Sequence, residues 1–248
     1  MQLNELRDYI ESELAVSRFR DYSPNGIQIE GRADVLRIAS AVTASQVVLN
    51  EAIAWGADAI LVHHGYFWRN EDARITGIKK RRIALLLQKD VSLLAYHLPL
   101  DAHPEWGNNA QLGKRLGFVE QGRFGEQNIA SIGTLSQAQT LLQLVQTIAV
   151  SLQRTPQFIG DPDAPVQRLA WCTGGAQGYF EEAIALGVGV FLTGEISEQN
   201  VHMAQESGVA FIAAGHHATE RYGVQALGNH LAVRFGLQHQ FFDQQNPV

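Results

Sequence analysis

A segment that recurs in the chain constrains the fold more than any other sequence feature. Residues 37–64 read RIASAVTASQVVLNEAIAWGADAILVHH, residues 168–195 read RLAWCTGGAQGYFEEAIALGVGVFLTGE, and the two align without a gap. Both copies contain Glu-Ala-Ile-Ala, and the same spacing separates this tetrapeptide from a glycine. A strand–helix–strand pattern is common in proteins, but this identity is hard to obtain by chance. We therefore expect two α/β halves of similar topology that face each other.

The hydrophobic pattern places further strands and helices around each copy. In the first half it predicts, in chain order, a helix over 3–15, a strand over 27–30, a strand over 36–42, a helix over 44–55, a strand over 59–62, a helix over 83–89 and a strand over 91–96. Between the two copies it predicts a helix over 110–116, a strand over 129–133 and a helix from Ser136 as N-cap to about Leu152. After the second copy it predicts a helix over 219–235.

This alternation of strands and helices predicts an α/β fold with parallel or mixed sheets flanked by helices. We expect domain limits at 1–125 and 126–248, with a metal cleft between the two halves. The C-terminal helix could pack back on the first half.

Composition and charge narrow the class of protein. The net charge is −6, so a broadly basic surface for nucleic acid is not expected. Cys172 is the single cysteine, which excludes an intrachain disulfide and a cysteine-rich zinc site and fits a reducing compartment. The first residues lack the apolar run of a signal peptide, and no stretch is apolar enough to span a membrane. We expect a cytoplasmic protein.

Histidines cluster where predicted strands end. Six of the nine histidines fall in three short groups, at positions 63/64, 97/103 and 216/217. In open α/β sheets the crevice at the carboxyl ends of the strands is where ligands bind. A single histidine there is more often structural, but three groups accompanied by Asp101 and Glu220 favour a metal site.

Residue spacing divides these ligands between two ions. His63 and His64 are adjacent in a strand, so they point to opposite sides and suit different ions. His216 and Glu220 are four apart on a helix and share a face. His217 has Arg221 at the same spacing, a cation, which favours His216 as the ligand.

A carboxylate such as Glu220 can bridge two ions, with Asp101 on the other side, and such ions lie about 3.5–4 Å apart. Histidine and carboxylate ligands suit zinc, iron, manganese, cobalt or nickel, and the sequence leaves the choice open. His97 could move a proton in catalysis or support a metal ligand.

Three further motifs each allow two readings. The turn Thr173–Gln177 could cradle a phosphate, although a tight structural turn is the commoner explanation. The aromatic run Tyr66-Phe67-Trp68 could stack a base or simply pack under a loop. Glu195 takes the position of His64 in the repeat and could face the same cleft.

The chain resembles the GTP cyclohydrolase 1 type 2 homologue family, also called the NGG-interacting-factor-3-like family. The segments that carry the resemblance are DYSPNGIQIEG (21–31), GADAILVHHG (56–65), HLPLDAH (97–103), GNNAQ (107–111), TGE (193–195) and GHHATE (215–220). They span nearly the whole chain. Many members carry a large insertion between the two halves, and this chain has the short version.

The resemblance implies two like α/β domains and a ring-shaped homohexamer. It also implies a dinuclear metal site whose ligands are His63, His64, Asp101, His216 and Glu220, which agrees with the choice made from spacing. The family name suggests opening of the GTP ring, but a name inherited by similarity is weak evidence for a substrate.

Two functional hypotheses follow. The first is a metal-dependent hydrolase, cyclohydrolase-like, that acts on a small nucleotide or another nitrogen heterocycle. The alternative is a non-enzymatic protein that handles metal or binds a regulatory partner. A purely structural metal is disfavoured because structural zinc sites prefer cysteine.

Overall fold

The computed structural model describes residues 1–248 and consists of alternating strands and helices. The helices are α1 Leu3–Glu13, α2 Gln46–Trp55, α3 Gly77–Lys89, α4 Leu98–Ala102, α5 Asn108–Leu116, α6 Leu141–Leu152, α7 Phe180–Ala185, α8 Glu198–Ser207 and α9 His216–Phe235. The strands are β1 Gly26–Ile29, β2 Arg37–Thr43, β3 Ala59–His64, β4 Ser92–Ala95, β5 Phe118–Phe124, β6 Ala130–Thr140, β7 Gln157–Ile159, β8 Pro165–Trp171, β9 Val190–Thr193, β10 Ala210–Ala213 and β11 Gln238–Phe241.

The chain forms two units that are not contiguous in sequence. The first unit comprises Met1–Gly107 and Gly223–Gln245, and the second comprises Asn108–Tyr222 and Asn246–Val248. Helix α9 begins in the second unit and most of its length belongs to the first. These are the bounds of the units, and the domain limits 1–125 and 126–248 stay a prediction.

The first unit is built on a five-stranded sheet in the order β1-β4-β3-β2-β11. Strands β4, β3, β2 and β11 are parallel, and β1 runs antiparallel at the edge. Alternate residues feed two apolar cores: Ile60 and Val62 lie in one, whereas Ala59 and Leu61 lie in the other. A strand buried on both faces reads as a continuous apolar run, which is why Ala59–Val62 carries no polar residue.

The second unit is built on a six-stranded sheet in the order β5-β6-β8-β9-β10-β7. Its central strands β8, β9 and β10 are parallel, and the outer pairings are antiparallel. The largest fully buried side chain, Trp171, belongs to an apolar core that α5 and α6 cover. The α/β class with sheets flanked by helices is therefore confirmed.

The two copies of the recurring segment adopt the same strand register. Ile38 of β2 pairs with Ala59 of β3, and Leu169 of β8 pairs with Val190 of β9. These pairs are equivalent in the alignment of residues 37–64 with 168–195. Gly56 ends α2 in the left-handed region at φ 87°, as expected for a glycine just past a helix.

The prediction that a helix begins at Ser136 is wrong. Strand β6 continues through residue 140, and α6 begins at Leu141 with Thr140 as its N-cap. Thr140 and Gln143 form a capping box, in which each side chain bonds the backbone N–H of the other. Ser136 has Gln139 at the same spacing, but Gln139 pairs with Val166 of β8, so the chain stays extended until Thr140.

None of the helices combines the length and apolar character needed to cross a bilayer.

Candidate metal centre

His63 and His64 end β3, a central strand of the first unit. His63 is completely buried, whereas His64 is partly accessible. The next residue, Gly65, has no room for a side chain, because a Cβ atom there would strike the Gln28 amide and the Cβ of Ala95. The strand end is thus held by close packing, so both imidazoles start from a fixed backbone.

His63 and His64 each place Nδ1 against a protein group. Nδ1 of His63 lies 2.9 Å from the Tyr96 carbonyl, and Nδ1 of His64 lies 3.2 Å from Thr43 Oγ1. Since a carbonyl only accepts, His63 must donate from Nδ1. Its Nε2 then carries the lone pair in the neutral ring, as a metal ligand requires.

His97 is oriented by a turn more than 70 residues away in sequence. Asp21 accepts from His97 Nδ1 at 2.7 Å and from the backbone N–H of Leu98 at 2.9 Å. Burial would raise the pKa of Asp21, but the hydrogen bond and charge of His97, together with Asn25 and the Leu98 N–H, outweigh it and lower that pKa to about 2. The carboxylate is therefore ionised and holds the proton of His97 on Nδ1.

The first unit brings these ligand atoms together. One nitrogen each from His63, His64 and His97 lies within 4.8 Å of the other two. Asp101, from the short helix α4, places Oδ1 3.4 Å from His63 Nε2. His103 has a different role: its Nδ1 accepts from the backbone N–H groups of Glu105 and Trp106.

The second unit places one histidine between two carboxylates. His216 opens α9, its Nδ1 lies 2.6 Å from Glu195 Oε1, and its Nε2 lies 3.3 Å from Glu220 Oε2. The predicted common face of His216 and Glu220 is confirmed. Burial would lower the pKa of His216, but the hydrogen bonds and charges of Glu220 and Glu195 raise it to about 9. A metal ion at Nε2 would have to displace this proton.

The turn Thr173–Gln177 packs directly behind these ligands. Gly174 has φ 70°, and a Cβ atom there would strike the Glu220 carboxylate. Its N–H donates to Thr219 Oγ1 and its carbonyl accepts from Thr193 Oγ1, both at 3.0 Å. Because the glycine backbone is tied in this way and touches Glu220, the turn supports the site and needs no phosphate to explain its shape.

The donor set fits a divalent ion chemically. Imidazole nitrogens and carboxylate oxygens converge in each unit without a thiol, a combination that suits zinc, iron, manganese, cobalt or nickel. Asp21 accepts from His97 and Glu195 accepts from His216, which is the carboxylate–histidine arrangement found next to metals in proteins. The buried histidine, aspartate and glutamate groups could therefore bind metal ions.

Sequence reasoning missed two of the groups that orient the histidines. The sequence pattern predicts only a turn over 21–26, and Thr43 falls between the predicted strand over 36–42 and the predicted helix over 44–55. The turn residues Asp21-Tyr-Ser-Pro-Asn-Gly were a usable signal, because Asp21 and Asn25 both bond to the His97 segment. Glu195, which had been left open, lies behind His216.

The chain is similar over its full length to a described family and to proteins of several bacteria. The model of the Duf34/NIF3 (NGG1p interacting factor 3) family matches residues 1–247. Proteins called GTP cyclohydrolase 1 type 2 homolog are 53% identical in Neisseria meningitidis, covering 98% of each chain, and 52% identical in Pseudomonas aeruginosa, covering 99% of this chain and 98% of that one. A solved structure described as protein ybgI of unknown function has a TM-score of 0.97 at 46% identity, and both chains are covered to 100%.

Proposed function

The chain belongs to the Duf34/NIF3 family, and on that premise we propose that it holds two divalent metal ions and hydrolyses a small nucleotide or related nitrogen heterocycle. The proposed ligands are His63, His64, Asp101, His216 and Glu220. Glu220 would be shared by both ions, and His63 and His64 would each hold one.

The orientation of the imidazoles is the observation that carries this proposal. Nδ1 of His63, His97 and His216 donates to an oxygen acceptor. Histidines that serve only packing have no need for a common tautomer, whereas metal ligands and proton carriers do. When bound, the ions act as Lewis acids that polarise an electrophilic group of the substrate.

The protein's own contribution to the reaction centres on His97. Its Nδ1 proton is held by the ionised Asp21 at 2.7 Å, so Nε2 is the atom that can take up and return a proton. The Trp68 ring meets the His97 ring nearly edge-on, at 4.9 Å between centroids and an interplanar angle of 83°. We therefore assign proton transfer to His97 and orientation of its ring to Asp21.

Metal content measured on single variants tests the dinuclear site. Purified protein should carry close to two ions per chain. Glu220→Ala should lose both, whereas His63→Ala and His64→Ala should each lose mainly one. His202→Ala is the matched control, since His202 is an exposed histidine of α8. If His63→Ala and His64→Ala empty one and the same site, the assignment of two ions is wrong.

Hydrolysis is tested on the metal-loaded protein across nucleotides, pterin precursors and phosphoesters. His97→Ala should slow turnover more than it lowers metal content. Activity that survives complete chelation would contradict a metal-dependent reaction. A fully loaded protein that is inert across the series would favour the metal-handling or partner-binding role.

The assembly that goes with this function is a ring-shaped homohexamer in the cytoplasm. Closed rings need an interface that repeats until it closes. Light scattering at micromolar concentration should give the mass of six chains, and a monomeric mass would rule the ring out.

A further inference from the structure

We propose that Trp68 selects the substrate, by stacking the planar ring of a nitrogen heterocycle on its indole beside His64 and His97. This inference deepens the proposed function and rests on it only for the position of the reacting group. It concerns binding, so it can be tested where no turnover is detected.

Trp68 lies against the histidines without being covered by them. Its ring centroid is 4.9 Å from that of His97 at an interplanar angle of 83°, and 5.9 Å from that of His64 at 57°. Neither contact is a parallel stack, and the residue is only partly buried. A planar ligand that reaches these two histidines therefore meets the indole as well.

The other two residues of the aromatic run are already engaged. Tyr66 is 6% exposed, and its hydroxyl donates to the Ala44 carbonyl at 2.8 Å. The Lys79 ammonium lies over the Phe67 ring, 5.0 Å from its centroid. Tyr66 and Phe67 are thus engaged in packing, whereas Trp68 lies beside His64 and His97.

Trp106, in the same unit, is an indole whose ring stacks on other side chains of the protein. Trp106 is stacked between His103, at 4.5 Å and 9°, and His230, at 3.9 Å and 28°. Both parallel contacts are made within the protein, which leaves no place for a ligand ring. Trp68 has the same kind of neighbours but makes no parallel contact with them.

The backbone before Trp68 adopts a costly conformation that sets its position. Phe67 has φ 64°, a left-handed conformation that bulky residues rarely adopt and that concentrates at functional sites. The indole Nε1 donates to the Gly65 carbonyl at 3.3 Å, and the Trp68 N–H donates to Glu71 at 3.2 Å. Glu71 in turn pairs with Lys79 at 3.2 Å. These contacts hold the ring in place before a ligand arrives, which reduces the entropy lost on binding.

Indole stacking matches planar heterocycles, because every such ring offers a π face whatever its substituents. A sugar phosphate without a ring of this kind would bind only through its charges. The contribution of Trp68 should therefore depend on the presence of the heterocycle, and this dependence is what the experiment measures.

The test compares guanosine 5′-monophosphate with ribose 5-phosphate on the protein with its resident metal. Wild-type protein should bind the nucleotide more tightly. Trp68→Leu should weaken nucleotide binding on the order of tenfold to a hundredfold and leave ribose 5-phosphate binding unchanged. Trp68→Phe should stay within a few-fold of wild type, since it keeps an aromatic face. Isothermal titration calorimetry gives the dissociation constants.

Trp55→Leu is the matched control, because Trp55 is a partly buried tryptophan of the same unit whose ring contact is with Phe242. Metal content must be equal in all variants, to separate stacking from loss of the ions. Nucleotide should also quench tryptophan fluorescence in wild type and not in Trp68→Phe, a substitution mild enough to preserve folding.

Three results would overturn the inference: equal binding of the two probes by wild type, unchanged nucleotide binding in Trp68→Leu, or an equal loss of both probes in that variant. Failure of the proposed function looks different. Tight, Trp68-dependent nucleotide binding without hydrolysis would leave this inference intact and remove the hydrolase assignment.

Discussion

The two units build the same parallel frame and place different chemistry at its carboxyl edge. In the first unit the Asp58 N–H bonds the Arg37 carbonyl, and at the equivalent place in the second the Gly189 N–H bonds the Arg168 carbonyl, both at 2.9 Å. Beyond this shared frame, β3 ends in two histidines, whereas the aligned positions after β9 are Gly194 and Glu195. The backbone pattern is thus kept while the side chains that follow it change.

The groups that contact Nδ1 of the histidines also differ in charge between the two units. In the first unit His63 donates to a backbone carbonyl and His64 contacts a hydroxyl, both neutral groups. In the second unit His216 lies between two carboxylates, which raise its pKa to about 9 despite burial. The first unit thus brings three imidazoles together, whereas the second places a single imidazole between two carboxylates. The predictions that follow probe both units.

The largest effect should come from Gly174→Ala in the second unit. The left-handed backbone alone costs an alanine about 1–2 kcal/mol, and the new Cβ atom would also displace the Glu220 carboxylate. Metal content should fall below one ion per chain, as measured by elemental analysis. Gly178→Ala is the control, because a Cβ atom at Gly178 meets nothing within 4 Å. Full metal content in Gly174→Ala would show that the turn does not position Glu220.

The next largest effect should be on metal affinity, when the hydrogen-bond partners of His216 and His64 are replaced. Glu195→Gln removes the charge that Glu195 Oε1 places 2.6 Å from His216 Nδ1, and loss of such a partner weakens metal binding about 10- to 100-fold. Thr43→Val in the first unit removes only a hydroxyl 3.2 Å from His64 Nδ1 and should cost less. Competition with a chelating dye measures both affinities. A larger loss in Thr43→Val would reverse the comparison.

The stability of the protein should depend on pH through His239, which lies in β11 at the edge of the first unit's sheet. Burial lowers the pKa of His239 from 6.5 to about 4, so the folded state favours the neutral ring. The unfolded chain takes up this proton near pH 6.5, and stability should therefore fall as the pH drops from 6.5 to 4. The expected loss is about 1–2 kcal/mol, reduced because the ring is partly exposed to solvent.

Urea unfolding at several pH values measures this loss, with His239→Gln as the comparison. The variant keeps side-chain groups that can bond Ser40 and Asn229, the present partners of the ring, but has no proton to gain. Its stability should depend less on pH over this range. Equal pH dependence in both proteins would assign the effect to other groups.

The smallest effect should come from Tyr96→Phe. Tyr96 is completely buried and its hydroxyl has no hydrogen-bond partner, so its desolvation is not compensated. Removing the hydroxyl should leave the protein equally stable or stabilise it by about 1 kcal/mol, because the His63 contact uses the Tyr96 backbone carbonyl. Thermal unfolding measures the change, and a clear drop in the melting temperature would reveal a contact of the hydroxyl.

Much of the fold could be predicted because it depends on short-range patterns. The apolar run Ala59–Val62 and the glycine after α2 are local signals, and the structure has the expected strand and helix end there. The start of α6 was misplaced because two residues, Ser136 and Thr140, could cap the helix. Only the reciprocal bonds of Thr140 with Gln143, together with the pairing of residue 140 in β6, decided between them.

For the candidate site, the sequence by itself determined which residue types stand together on one strand end or one helix face, such as His63 with His64 and His216 with Glu220. Tertiary structure alone decided which groups orient them: Asp21 reaches His97 across 76 positions, and Glu195 reaches His216 across 21. The physical reason is that strand and helix periodicity fixes directions over a few residues, whereas a hydrogen bond between distant segments depends on how whole sheets and turns pack.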